Sequence, residues 1–393
     1  MQNPARLDFF LNLGHFFDHL AMLIFPTAVL AIGMAWQRPY AELLPLALGG
    51  FIAFGACSLP AGWLADHWSR KGMMVMFFFG IGAATIATGF ADGPAALAIG
   101  LTTIGVFGAI YHPVGIAMLV SNQPRLGRTL GVNGVWGNAG LAFAALLTGA
   151  LADFAGWRAA FFVPGALCIA AGFGFLWASR GLALGKGAAK KGAARLPRAL
   201  LARIFLIVAV ATACGGVIFN ATTVSMPKVF DERLSALTDT NFGIGVLVCV
   251  TYLIAAMAQL LVGWWIDRRS IKWVFVMVAA MQVPLLFAAG SLAGYGMLLV
   301  AVAMMFFVFG QIPINDAMIA RYTAEEWRAR AYSVRYVVSF AASATAVPLI
   351  AWVHRTYGDF QPLFAILAAI AVLTLAVALW FPGERVAARV APA

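Results

Sequence analysis

Gly62-Trp63-Leu64-Ala65-Asp66, followed by Arg70-Lys71, closes one apolar run of this 393-residue chain, and Gly263-Trp264-Trp265-Ile266-Asp267 closes another 201 positions later. Val106-Phe107-Gly108 likewise returns as Val308-Phe309-Gly310, a shift of 202. Two matches at nearly one offset mark a duplicated architecture, and the composition says where it resides. The chain is 63% hydrophobic and 10% charged, with a mean hydropathy of +0.91. Soluble domains carry about 25% charged residues, so this chain cannot clothe its surface for water. That excludes a soluble enzyme, a nucleic-acid binder and a secreted disulfide module.

A helix crosses a bilayer in about 20 apolar residues. Runs of that kind fall at 8–32, 42–66, 72–92, 94–120, 127–153, 157–178, 201–227, 240–266, 272–291, 293–320, 329–353 and 359–381. Residues 1–178 and 201–393 then form two six-span halves joined by a linker at 179–200, where the stretch from Arg180 to Arg203 holds seven basic residues and no acidic one. With the N-terminus inside, twenty Lys and Arg fall on the cytoplasmic side and five on the outer side, with Arg335 inside a span. This bias predicts that both termini are cytoplasmic, and it accounts for the net charge of +11 without nucleic acid. The four cysteines stand apart in apolar segments, with no metal-type spacing. The first run holds His15, Asp18 and His19 and lacks a small-residue cleavage site, so it is expected to be a span rather than a signal peptide.

Gly62-x-x-x-Asp66-x-x-x-Arg70-Lys71 resembles the loop motif of the major facilitator superfamily, with a weaker copy in Gly263, Asp267, Arg268 and Lys272. Asp153-Phe154-Ala155-Gly156-Trp157-Arg158 resembles a further loop of that superfamily. The likeness implies an all-α fold of twelve transmembrane helices in two pseudo-symmetric six-helix bundles, working as a secondary carrier by alternating access. It also implies a cytoplasmic gate at Gly62, Asp66, Arg70, Lys71, Gly263, Asp267 and Lys272. There Gly62 would let spans two and eleven approach, and Asp66 would pair with Arg70 or with a helix N-terminus of the other half. The alternative leaves the charged members as solvated turn residues. More narrowly, Tyr111-His112-Pro113 and the polar first span resemble fosmidomycin-resistance-like exporters. Span four lacks the embedded arginine of drug/proton antiporters, and span five carries Gly131, Gly134, Gly137 and Gly140 but not their proline; such a series reads as a close-packing face.

Ionisable groups inside spans are costly, so each is a functional candidate. His15, Asp18 and His19 share one helix face at 100° per residue. The superfamily architecture implies that the first and fourth helices of each half line a central cavity. That cavity would collect His15, Asp18, His19, Tyr111 and His112 from one half and Asn220, Asn315 and Asp316 from the other, with Asn220 as the repeat counterpart of Asp18. Asn133 and Asn138 on span five are further candidates. Asp316 and Arg335 lie about equally far from the loop between spans ten and eleven, so a salt bridge is expected; if it opens, Arg335 becomes an anion anchor.

Three readings of the first-half cluster stand side by side. Asp18 with its imidazoles couples transport to protons; His15, Asp18, His19 and His112 bind a transition metal or a metal chelate; or the group fixes helix packing. For His112, satisfying carbonyls freed by Pro113 is a further alternative. No phosphate-binding G-x-x-x-x-G-K-[ST] stretch occurs, so ATP is not the energy source, and no enzyme activity or cofactor is expected. The energy source is then a proton gradient, with metal entering only as cargo. The expected partners are a small-molecule substrate, protons and the lipid of a bacterial-type inner membrane, with the protein a monomer that binds no nucleic acid. Proton antiport exporting a small organic compound leads; carriage of a metal ion, chelate or siderophore comes next, and a non-transporting sensor is third.

Overall fold

In hydrocarbon no water is available to pair a backbone N–H or C=O, and a helix pairs its own. The computed structural model describes residues 4–120, 126–181, 198–322 and 325–382, and contains no strand among them. The linker stretch 182–197 and the basic residues beyond 382 lie outside the described residues.

Twelve helices among the described residues are long and apolar enough to cross a membrane. They are α1 (Arg6–Trp36), α2 (Tyr40–His67), α3 (Arg70–Gly89), α4 (Pro94–Leu119), α5 (Thr129–Ala155) and α6 (Ala159–Ala178), then α7 (Ala202–Arg233), α8 (Asn241–Arg268), α9 (Ile271–Ala289), α10 (Gly294–Ile319), α11 (Val337–Tyr357) and α12 (Gln361–Trp380). They match the twelve expected runs in number and order, and the differences are at the edges. α7 continues to Arg233 rather than stopping near 227, because Lys228 pairs with Asp231 at 2.6 Å and with Glu232 at 3.5 Å along the helix. The apolar part of α11 starts at Val337, although the helix itself begins at Glu325.

Three spans are not uniform rods. α2 tightens into a 3₁₀ turn over Leu44–Ala47 and breaks again at Cys57. α4 opens into a π turn over Tyr111–Gly115, and α11 is interrupted at Thr345. Pro45 sits in the 3₁₀ turn and Pro113 in the π turn, each removing a backbone donor.

The helices form two compact units. One holds α1–α6 together with Val224–Leu253; the other holds the earlier part of α7, up to Thr223, and the chain from Ile254 onward. In the first unit α1 packs chiefly on α5, and α3 on α6. Phe77, Phe78, Phe161 and Phe175 fill its interior. In the second, α9 packs on α10 and α12, around Val274, Phe275, Val278 and Ile314.

Candidate functional site

The first unit encloses a polar cluster built on one face of α1. Asn12, His15 and Asp18 recur at three-residue intervals along that face and are all buried, Asp18 with no exposed surface. His19, on the same side, is partly exposed. α5 and α4 supply the rest of the wall through Asn133, Tyr111 and His112.

His15 is held from three directions. Its Nδ1 donates to the Asn133 backbone carbonyl at 2.8 Å. A carbonyl only accepts, so Nδ1 carries a proton and, on the neutral ring, Nε2 is left as a lone pair. His19 Nε2 lies 3.1 Å from that nitrogen and donates to it. Behind the ring, Tyr111 stacks at 4.9 Å between centroids with a 17° tilt. The Asn133 side chain ties the arrangement together, donating to Asn12 Oδ1 at 2.9 Å and to Tyr111 Oη at 2.7 Å.

Asp18 meets His112 instead, with Oδ2 3.3 Å from Nε2. The π turn puts that imidazole there: Pro113 disturbs the regular ladder of α4, and the turn that follows carries His112 toward α1. The His112 ring stands edge-on to His15 at 5.2 Å and to His19 at 5.7 Å. One ligand nitrogen from each of the three imidazoles falls within 4.8 Å of the others. A carboxyl beside an imidazole can hold one proton on either partner, so the pair is neutral overall in both forms.

Two glycines make the space. A Cβ at Gly108 would come within 3.2 Å of Asp18 Oδ1, and one at Gly137 within 2.6 Å of the His15 ring. Gly108 belongs to the repeated Val106-Phe107-Gly108 stretch, which gives that repeat a role beside the carboxylate.

The other residues singled out in the sequence are described each within its own unit. Asn138 is on α5 and partly exposed. In the second unit, Asn220 donates to the Ser343 carbonyl at 2.7 Å, and Asn315 is buried at 5% exposure. Arg335 donates to Asp316 in that unit. At the end of α2, Asp66 accepts from Arg70 at 2.9 Å, and Lys71 donates to the Ser179 carbonyl at 3.0 Å, closing the end of α6. Among the described residues, the atom nearest a Cβ at Gly62 is Pro113 Cβ at 3.3 Å, on span four of the same unit. Gly263, Asp267 and Lys272 sit at the matching end of α8 and the start of α9, and a Cβ at Gly263 would meet nothing within 4 Å among the described residues. Asn12 escaped the sequence reading although its three-residue spacing from His15 was a usable signal.

Comparison with known proteins agrees with this architecture. A bacterial homologue of the human lysosomal transporter Spinster, in an inward-facing and occupied conformation, matches with a TM-score of 0.77 over 99% of this chain and 98% of its own, at 14% identity. The peptide transporter POT in complex with sulfate matches with a TM-score of 0.76 over 98% of this chain and 95% of its own, also at 14% identity. Such likenesses establish the fold alone. The puromycin resistance protein pur8 of Streptomyces alboniger is 30% identical over 110 residues, which are 27% of this chain and 22% of that protein. The family model of the Major Facilitator Superfamily matches residues 11–249 and 234–393. With that match running along nearly the whole of a twelve-span, internally repeated chain, the protein is a multi-pass integral membrane transporter that belongs to the Major Facilitator Superfamily.

Proposed function

We propose that this transporter exports a small organic compound across a bacterial-type inner membrane in exchange for protons, which are taken up at Asp18 and its imidazole partners. The observation that carries the reading is the environment of Asp18: a carboxylate with no exposed surface, 3.3 Å from His112. A permanently charged carboxylate is costly there, and proton exchange removes that cost without moving a helix. His19 and His112, both partly exposed, are the route by which a proton reaches the buried Asp18. Asn220, Asn315, Asp316 and Arg335 serve in this reading as the cargo-facing polar groups of the second half, and Asn138 as one of the first half's. Gly62, Asp66, Arg70, Lys71, Gly263, Asp267 and Lys272 form the cytoplasmic gate. Export is supported by the name of the puromycin resistance relative, and the cytoplasmic placement of both termini by the Lys/Arg bias.

Proteoliposomes carrying a pH-sensitive dye test it, with puromycin as the first probe and a metabolite and antibiotic panel after it. A compound that binds the native state raises its apparent stability by mass action, so a thermal-shift screen selects candidates. The active compound should drive proton flux in wild type. Asp18→Asn should retain the thermal shift and lose the flux. Undiminished coupled flux in Asp18→Asn refutes the role given to Asp18.

One observation favours a second reading, in which the cargo is a transition-metal ion. The bond from His15 Nδ1 to a carbonyl leaves Nε2 directed at His19, the arrangement that orients metal-binding imidazoles. Bonds of about 2.0–2.1 Å to a tetrahedral ion require nitrogens about 3.4 Å apart, so the widest of the three separations must close by roughly an ångström or more. Isothermal titration with Zn²⁺, Ni²⁺ and Co²⁺ decides: saturable binding lost in His15→Ala and His19→Ala supports this cargo, and no binding by any ion removes it.

A further inference from the structure

α5 and α8, drawn from the two sequence halves, meet inside the first unit along a seam that neither the polar cluster nor the Asp66 gate involves. Asp153, in the last turn of α5, accepts two hydrogen bonds from the start of α8. Its Oδ1 takes the Asn241 side-chain amide at 2.7 Å, and its Oδ2 takes the Phe242 backbone N–H at 2.7 Å. The first N–H groups of a helix have no partner within it and carry the positive end of its dipole. Thr240 satisfies one of them, accepting from Gly243 N–H at 3.0 Å; Asp153 satisfies the next from a different helix, through a charge-assisted bond.

Below this cap the two backbones touch. Ala145, Gly149 and Asp153 repeat every four residues on α5, facing Asn241 and Gly245 on the oppositely running α8. A Cβ at Gly149 would strike the Asn241 carbonyl, and one at Gly245 would lie 2.5 Å from the Ala145 carbonyl. Each helix therefore offers a glycine where the other's main chain passes. Phe154 and Phe242 close the rim, with ring centroids 6.0 Å apart. Asp153 is itself exposed, so a released carboxylate passes to water rather than being stranded. A contact of this kind can break and re-form cheaply.

Successive spans alternate in direction, so the end of α5 and the start of α8 share one side of the membrane, and the end of α2 with its Asp66–Arg70 pair is on the other. We propose that Asp153 is a latch: by capping α8 from α5 it holds this side of the carrier shut, and its release accompanies opening there. The inference rests on the transporter reading but not on proton coupling or on the cargo.

Cys249 is a native reporter, one turn beyond Gly245 on the same face of α8 and 4% exposed. Maleimide labelling of the reconstituted full-length protein, read peptide by peptide by mass spectrometry, compares Cys249 with the buried Cys168. Loss of one N-cap shifts such an equilibrium by about fivefold. Asp153→Ala should therefore label about fivefold faster than wild type at Cys249 and unchanged at Cys168, and Asp153→Asn should fall between. Gly245→Leu, which drives a wedge into the seam, should raise the same rate with Asp153 intact. Should Asp153→Ala fail to fold, Asn241→Asp places a like charge against the carboxylate and is expected to raise the rate as well. Wild-type labelling in the Asp153 or Asn241 variant overturns the latch, whether Gly245→Leu opens the seam or leaves it shut.

Discussion

Asn133 ties α1, α4 and α5 together through one amide group, and this makes its contribution measurable. Its Nδ2 donates to Asn12 and to the Tyr111 hydroxyl, and all three residues are at most 8% exposed. Interhelical hydrogen bonds in membrane proteins average about 0.6 kcal/mol and reach about 1.7 kcal/mol, because the unfolded chain in lipid also finds partners. A buried acceptor left unpaired adds about 1–3 kcal/mol. Asn133→Ala breaks both bonds and strands Asn12 Oδ1, so a loss of about 2–3 kcal/mol is expected. Tyr111→Phe removes one bond and leaves Asn133 paired with Asn12, for a loss nearer 1 kcal/mol. Reversible unfolding in mixed detergent micelles, followed by circular dichroism for wild type, both single variants and the double variant, gives the coupling between the two sites. It should lie at about 0.6–1.7 kcal/mol. His15 is bonded to the backbone carbonyl of residue 133, so proton-coupled flux should survive Asn133→Ala in the protein that remains folded. Additivity within about 0.3 kcal/mol would refute the network as drawn. Loss of flux together with full stability would mean that the side chain, rather than the backbone, positions His15.

Two further outcomes follow from the packing. Gly137→Ala puts a methyl 2.6 Å from a His15 ring already pinned by the Asn133 carbonyl and by Tyr111; an overpacking cost of about 1–3 kcal/mol is partly offset by about 1 kcal/mol of helix propensity. The thermal midpoint should therefore move little while dye-reported coupled flux falls about tenfold, equivalent to about 1.4 kcal/mol, and wild-type flux would show that the ring position is unimportant. In the second unit, buried Gln282 donates to Gln311 Oε1 at 2.9 Å, and Gln311 donates to the Ala211 carbonyl at 3.1 Å. Gln311→Leu should cost about 1–3 kcal/mol, and Gln282→Leu with Gln311→Leu less than the sum of the two single variants, since replacing both partners by apolar groups strands fewer polar atoms; denaturation midpoints of the three variants check this.

The spans were legible because the bilayer imposes a length, and the repeat was legible because the same loop chemistry recurs at Asp66 and Asp267. Their edges were less so. Lys228, Asp231 and Glu232 read as the end of a span, yet they satisfy one another along the helix and let it run on to Arg233. Helical periodicity put His15, Asp18 and His19 on one face, and the equal distance of Asp316 and Arg335 from their loop placed them at one depth. Periodicity does not report what a neighbouring helix brings. The approach of His112 to Asp18 depends on a π turn whose only local sign is Pro113, and the anchor of His15 is a backbone carbonyl, which every residue type possesses. The glycines at 108 and 137 were visible as letters, but the atoms they make room for belong to α1.

That carbonyl anchor has a consequence for traffic through the cluster. A group that only accepts cannot relay: nothing leaves the imidazole through Nδ1, and the amides of Asn133 and Asn12 behind it are not acids or bases at physiological pH. The deep end is a blind alley, and the half-open His19 and His112 are its mouth. Under the proton coupling proposed above, protons come and go by that one door, so the cluster is a purse rather than a wire. Exchange between the two compartments then depends on which of them the door faces.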